Sequence, residues 1–300
     1  MLDFRVETFL AVCRHMNFTK AARELNITQP AVSHHMHYLE QAYGTALFQH
    51  NGKRLQLTEA GEILRRTLMT MKHDEQHLQK RMQQVVSGTR DYSFGATLSV
   101  AEFMINEALG RFLRLHPDSH IQMQVTDTKV LLSKLDSGEL DFAVVEGDFP
   151  KAEYDFFVFG TEEYVAAGDP EKAVRYRGRP LADLLGEPLL LREEGSGTRV
   201  ILEYYLKEHG LAAADFARTV EIGNIGAIKT LLKSGYGVSF LYRAAIRPEE
   251  AVGALGVIAL SDFELRHDIM FLFPKNSNFR ADYTTIFREL RACAEETGGA

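Results

Sequence analysis

Apolar residues recur along this 300-residue chain with two different periods, and the change from one to the other falls near residue 90. Before that point the spacing is helical. Residues 3–15 place Phe4, Phe9, Leu10, Val12 and Cys13 on a helix that can pack behind the two that follow it. A short second helix, with Ala21, Ala22 and Leu25 on its apolar side, is expected to start from Thr19 as N-cap and to turn at Asn26-Ile27. Thr28 caps a third. There Pro30 sits in the first turn, where no amide hydrogen is needed, and Val32, Met36 and Leu39 form a narrow stripe at i, i+4 and i+7. Asn51-Gly52, between Phe48 and Leu55-Gln56-Leu57, is a hairpin signal. Thr58 then caps a helix with no breaker from Glu62 to Val86. Its residues Leu64, Leu68, Met71, Glu75, Leu78, Met82 and Val85 alternate four and three apart, a heptad seam with one polar position. Such a helix is about 40 Å long, more than the small domain before it can cover. Its seam, Leu64, Leu68, Met71, Leu78 and Met82 above all, is expected to pair with the same helix of a second copy.

From residue 92 onward strands alternate with helices. Strands are expected over 92–97, 121–125 and 140–146, with helices over 99–115 and 130–136, the latter closed by Gly138. A second run gives strands at 164–167, 189–192, 218–222, 238–241 and 267–273, and helices at 199–209, 225–233 and 279–295. This βαβαβ order implies mostly parallel sheets in two similar α/β lobes, with ligands bound in the cleft outside the strand ends. No internal repeat or low-complexity tract interrupts it.

The helical part carries a distinctive surface. Gln29, Ser33 and His37, with Thr28, Pro30 and His34 beside them, form an outward face without a single carboxylate, suited to base edges and phosphates. Two capped helices joined by a tight turn describe a helix-turn-helix, although any αα-hairpin shares that outline. Lys53 and Arg54 beside the hairpin turn make a basic wing that fits phosphate contact, unless it is only a solvated turn. The net charge of −7 argues against nucleic acid until the chain is divided. Residues 1–90 hold 12 Lys/Arg against 8 Asp/Glu, whereas residues 91–300 hold 22 against 33. Seven of the eleven histidines also lie in the first 90 residues, so that end grows more positive toward pH 6.

The stretch from Phe18-Thr19-Lys20-Ala21-Ala22-Arg23-Glu24-Leu25 through Thr28-Gln29-Pro30-Ala31-Val32-Ser33, then Leu39-Glu40, Gly44, Leu47-Phe48 and Leu57-Thr58-Glu59-Ala60-Gly61, resembles the N-terminal domain of LysR-type transcriptional regulators. Gly138-Glu139-Leu140-Asp141 and Gly235-Tyr236-Gly237-Val238 resemble the family's effector domain. Residues 191–199 look most like the branch containing regulators of sulfur assimilation and carbon fixation. The resemblance implies an all-α winged helix-turn-helix over 1–58 and a linker and dimerisation helix with hinge over 59–90. It further implies a two-lobed α/β effector domain over 91–300, like type 2 periplasmic binding proteins. Lobe I would comprise 91–161 and 267–300 and lobe II 162–266, with crossover strands near 160–162 and 264–267. The implied partners are double-stranded promoter DNA, a small effector and further copies of the chain, as a dimer or a tetramer built from dimers. Two positions depart from the family: His34 and His50 stand where arginines are usual, and a neutral imidazole is a poor substitute for a guanidinium fork.

In the effector region Gly195-Ser196-Gly197-Thr198 follows a strand and opens a helix, so its amides and hydroxyls suit an anion at the helix's positive end. Thr97 and Ser99 hold the corresponding turn of the other lobe. Two such turns facing one cleft would hold a small carboxylate, sulfate or phosphate, although Ser196 and Thr198 could equally be ordinary caps. The same loop resembles a dinucleotide fingerprint lacking its third glycine, with Glu221 where a ribose-binding acid would stand. An α/β enzyme or a nucleotide- or redox-sensing module fused to the DNA-binding domain is therefore the alternative. No Ser/His/Asp or Cys/His arrangement has supporting context, so no enzyme activity and no cofactor are expected. His73 and His77 lie i, i+4 but lack further ligands, so a solvated face rather than a metal is expected there. Two cysteines, Cys13 and Cys293, suit a reducing compartment. With no basic-then-apolar start and no run of 18 apolar residues, a cytoplasmic protein without membrane contact is expected.

Overall fold

The computed structural model describes residues 3–52 and 54–295. Helices α1 (Phe4–His15), α2 (Phe18–Glu24) and α3 (Gln29–Tyr43) close around Phe9, Leu10, Val12, Ala21, Ala22, Val32, Met36 and Leu39. Thr28 and Thr58 cap as expected, accepting from the Ala31 amide at 3.3 Å and the Gly61 amide at 3.0 Å. The cap of α2 is Asn17 instead of Thr19. Asn17 holds extended backbone and accepts the Lys20 amide at 2.9 Å, so Thr19 is already helical. Strands β1 (Phe48–Asn51) and β2 (Arg54–Leu57) form the wing, with Asn51 opposite Arg54. Asn51 is therefore still part of the strand, and Gly52 after it supplies a positive φ of 61°. Lys53 lies outside the described residues.

Helix α4 (Glu59–Ser87) is continuous over 29 residues, about 43 Å. Its first turn passes so close to the Leu47 carbonyl that a Cβ at Gly61 would collide with it, which restricts that position to glycine. The heptad stripe divides along its length. Leu64 and Leu68 pack into the core of the three-helix domain, and Leu68 is only 4% exposed. Leu68 therefore corrects the dimerisation set: it is covered by its own chain. Met71, Leu78 and Met82 remain exposed, with Val85 and Val86 beyond them.

The other face of α4 is not solvated. His73, Asp74 and His77 are buried against the α/β domain, which corrects the solvated face expected of the two histidines. Asp74 accepts from Ser277 Oγ at 2.5 Å and from the Asn278 amide and side chain, both at 2.9 Å. His73 Nε2 meets the Leu140 carbonyl at 3.0 Å, and Lys80 donates to Asp141 at 2.8 Å. His77 lies within 3.5 Å of Asp141 and 3.4 Å of Asp282. Burial holds His73 down at about 4, so it is neutral there.

The α/β domain begins with β3 (Arg90–Ala96), α5 (Leu98–Phe103), α6 (Asn106–Leu115), β4 (Ser119–Val125), α7 (Thr128–Ser137) and β5 (Phe142–Val145). There follow β6 (Tyr154–Gly168), α8 (Pro170–Arg175), β7 (Pro188–Leu191), α9 (Gly197–Glu208), β8 (Arg218–Glu221), α10 (Ile225–Lys233) and β9 (Val238–Tyr242). The chain ends on α11 (Arg243–Ala251), β10 (Gly256–Val257), β11 (Leu265–Pro274) and α12 (Arg280–Glu295). The sheet order is β4-β3-β5-β11-β6-β9-β7-β8, with β10 on β6. Parallel pairs β3–β4, β3–β5, β7–β8 and β7–β9 build the two lobes. The long antiparallel pair β6–β11 runs through both, wider than the expected crossovers.

The single helix expected over 99–115 is broken. Asn106 Nδ2 donates to the Glu102 carbonyl at 3.0 Å, and the Met104 and Ile105 amides both turn to the Val100 carbonyl. Among the described residues no helix is long and apolar enough to cross a membrane.

Candidate functional site

Two surfaces carry the chemistry. On the first, Thr28, Gln29, Pro30, His34 and His37 are exposed along the N-terminal half of α3, with Ser33 half-buried among them. Gln29 Nε2 donates to Ser33 Oγ at 2.9 Å, and His37 pairs with Gln41 at 3.0 Å. These are weak surface bonds that a base edge can replace. The nearest carboxylate on the helix faces inward: Glu40 accepts the Leu47 amide at 2.8 Å and ties the wing to α3. Arg54 is exposed on β2. His35, next to the surface, is instead tied to Thr8 at 3.0 Å, and burial lowers its pKa.

The second surface is the floor of the cleft, where the carboxyl ends of β3 and β5 in one lobe meet β7 in the other. Thr97, Ser99, Ser196 and Thr198 are all buried here, and Gly195 and Gly197 frame the turn into α9. Ser99 Oγ and Thr198 Oγ1 lie 3.1 Å apart, joining the lobes. Neither Thr97 nor Ser196 caps its own helix through its side chain. The turn is braced by Tyr164, whose hydroxyl donates toward the Thr198 carbonyl at 2.8 Å and the Phe240 carbonyl at 3.1 Å.

Sequence reasoning missed the group that stands between these turns. Glu146, only 2% exposed, accepts a hydrogen bond from the Thr97 hydroxyl. It packs so near Gly197 that a Cβ there would meet its Oε1 at 3.4 Å. Burial pushes its carboxyl up to about 7 against the pull of its own backbone, Arg192 and Ser99. Arg192 is buried too, and Nη1 has no partner among the described residues, while Nε and Nη2 bind Glu193, each at 2.7 Å. Both residues follow all-apolar strands, Phe142–Val145 and Pro188–Leu191, and a charge at the end of such a strand was the available signal. A cavity of about 1120 Å³ opens above, lined by Lys129, Glu146, Asp148, Gly195, Gly197 and His267 among others.

The dinucleotide alternative loses its acid. Glu221 is engaged by Arg199 at 2.7 Å, on the same chain segment that would have carried the phosphates. Cys13 is held in apolar packing, where burial pushes its thiol up to about 12, and Cys293 lies in the α/β core.

Comparison with known proteins agrees with this geometry. Residues 5–62 match the bacterial regulatory helix-turn-helix of the lysR family, and residues 88–293 match the LysR substrate binding domain. The chain is 29% identical over 306 residues to a RuBisCO operon transcriptional regulator of Acidithiobacillus ferrooxidans, covering 98% of this chain and 94% of the relative. The HTH-type transcriptional regulator CysL of Bacillus subtilis is 25% identical, covering 89% of each chain, so both kinds of relative fit the sulfur-assimilation and carbon-fixation branch read from residues 191–199. It is similar in fold to full-length LysG from Corynebacterium glutamicum with bound effector Arg. The TM-score is 0.62 at 18% identity, covering 99% of each chain. The regulatory domain of CcmR from Synechocystis PCC6803, in complex with 2-PG, gives a TM-score of 0.61 at 20% identity over 69% of this chain and 98% of that one. With a reading helix and wing at one end and a two-lobed ligand cleft at the other, the chain belongs to the LysR family of DNA-binding transcriptional regulators.

Proposed function

We propose that the chain reads an operator through Gln29, Ser33, His34 and His37, with Thr28, Pro30, Lys53 and Arg54 positioning it on phosphates, and that a small anion in the cleft changes that binding. The division is the one read from the sequence: 1–58 for DNA, 59–90 for linkage and dimerisation, 91–300 for the effector. The protein acts in the cytoplasm as a homo-oligomer, dimeric through Met71, Leu78 and Met82 and tetrameric at the next level. It catalyses no reaction of its own.

The observation that carries the effector reading is the meeting of Ser99 and Thr198 hydroxyls at 3.1 Å, from opposite lobes, at the N-terminus of α9. A ligand accepting from both turns favours one arrangement of the lobes over another, and only such a difference in affinity can shift DNA binding. The CcmR regulatory domain is in complex with 2-PG and LysG carries bound effector Arg, which supports a small effector held by this fold.

The test is calorimetric titration of the full chain with sulfate, thiosulfate, phosphate and small carboxylates. Hydrogen bonds to a charged group contribute about 1.5–3 kcal/mol, so Thr198→Val should weaken binding about ten- to a hundredfold while leaving effector-free DNA affinity unchanged. Equal affinity in both proteins, or tight binding only of a neutral ligand, overturns the anion reading.

A further inference from the structure

Given the anion site proposed above, we propose that an anion enters it only together with a proton taken up by Glu146, so that the regulator responds to the pair rather than to the anion alone.

The ground for this is placement. The Glu146 carboxyl already occupies the space between the two turns: the Thr97 hydroxyl donates to it and Gly197 of α9 lies against it. An anion drawn to Ser99 and Thr198 therefore arrives beside a buried carboxylate. Two like charges side by side in buried surroundings exclude each other, and the cheaper state is the one in which the carboxyl is protonated. The charged and titratable groups facing Glu146 do not remove the conflict. Arg192, at the end of β7, is the nearby cation, and two of its nitrogens are already committed to Glu193. Tyr242 of β9 feels the Glu146 charge but is held neutral by its own burial. His267 of β11, 3.3 Å from Tyr242, has its pKa lowered by burial and so adds no charge at neutral pH. On the cavity side Asp148 adds a negative charge and Lys129 a positive one.

The proton costs little because burial has pushed Glu146 up to about 7. Once it is protonated, the field of Arg192, including Nη1, which has no partner among the described residues, acts on the incoming anion instead of on Glu146. The proton comes from solvent, and no bond other than the carboxyl O–H is made.

Sulfate is the suitable probe, since its own charge is constant over the range that matters. The full chain is titrated with sulfate from pH 6.5 to 8.5 in buffers of different ionisation enthalpy. Wild type should take up about half a proton per sulfate near pH 7 and about one at pH 8.5, with affinity falling about tenfold per pH unit above 7. Glu146→Gln, which keeps the shape without the charge, should bind sulfate at pH 8.5 at least about tenfold more tightly than wild type and take up no proton. Sulfate binding by wild type that is independent of pH and buffer, yet weakened by Thr198→Val, overturns this proposal and leaves the anion site standing. Loss of binding in Glu146→Gln also overturns it. No sulfate binding in either protein at any pH removes the anion site and this proposal together.

Discussion

Replacing Asp74 with alanine tests whether the long helix is fastened to the α/β domain or merely lies beside it. The Asp74 carboxylate is 7% exposed and accepts three hydrogen bonds, from Ser277 Oγ, the Asn278 amide and the Asn278 side chain. Bonds to a charged acceptor contribute about 1.5–3 kcal/mol each, but the Asn278 side chain can turn to water once its partner is gone. Ser277, itself 6% exposed, cannot do so easily. The expected loss of local stability is therefore about 3–5 kcal/mol, less than the sum of three bonds. Amide hydrogen exchange reads this directly. Protection across residues 72–80 should fall by at least about a hundredfold in the variant, because each 1.4 kcal/mol is a factor of ten. Helices α1–α3, which share no hydrogen bond with Asp74, should keep theirs and show that the DNA-binding domain is still folded. Unchanged protection over 72–80 would refute the reasoning and leave α4 held by apolar contact alone.

Gln29→Ala should flatten sequence preference in a binding-site selection, whereas Arg54→Ala should weaken binding to every sequence alike and reduce the salt dependence; the same uniform loss from both would remove the distinction between reading and positioning. Met82→Glu should dissociate dimers in sedimentation without loss of fold, since Met82 is 64% exposed within its own chain. Leu68→Glu should instead unfold the three-helix domain, so intact domains with dissociated dimers would contradict the placement of Leu68. Glu146→Gln should also change the pH dependence of stability. Because the folded carboxyl holds its proton up to about 7, against the ordinary 4.5, wild type loses stability as pH rises from 4.5 through 7. The variant avoids that loss, gaining about 3 kcal/mol at pH 8 and converging with wild type near pH 4.5; a constant gain at all pH values would point to packing instead.

Local chemistry made much of the molecule legible. Thr28, Thr58 and Gly138 end or start helices because their backbones and side chains satisfy nearby groups, and α10 coincides with the expected helix over 225–233. Heptad spacing told which residues of α4 share a stripe but not what covers it. Leu64 and Leu68 are taken up by a domain that precedes them, and the polar face carrying His73 and Asp74 finds its partners at residues 140 and 277–278. Nothing within a few residues of Asp74 encodes that. Helix α11 was hidden by Pro248 in its interior, and the break between α5 and α6 by a side chain, Asn106, that competes for a carbonyl. In the cleft, motif reading singled out Thr97, Ser99, Ser196 and Thr198, which the fold brings together, and missed Glu146, since a lone acid after four apolar residues looks like the end of a strand.

The fastening of α4 also decides which part of the protein is the stator and which the rotor. Every bond described between the helix and the α/β domain goes to lobe I: Leu140, Asp141, Ser277, Asn278 and Asp282. The second lobe, built on β7, β8 and β9, joins that assembly through the continuous strands β6 and β11. Should the cleft close on the effector proposed above, lobe II is the part that moves, because lobe I is held to the helix by these hydrogen bonds. On that proposal the movement is felt at the outer surface of lobe II, where a second copy of the chain can read it.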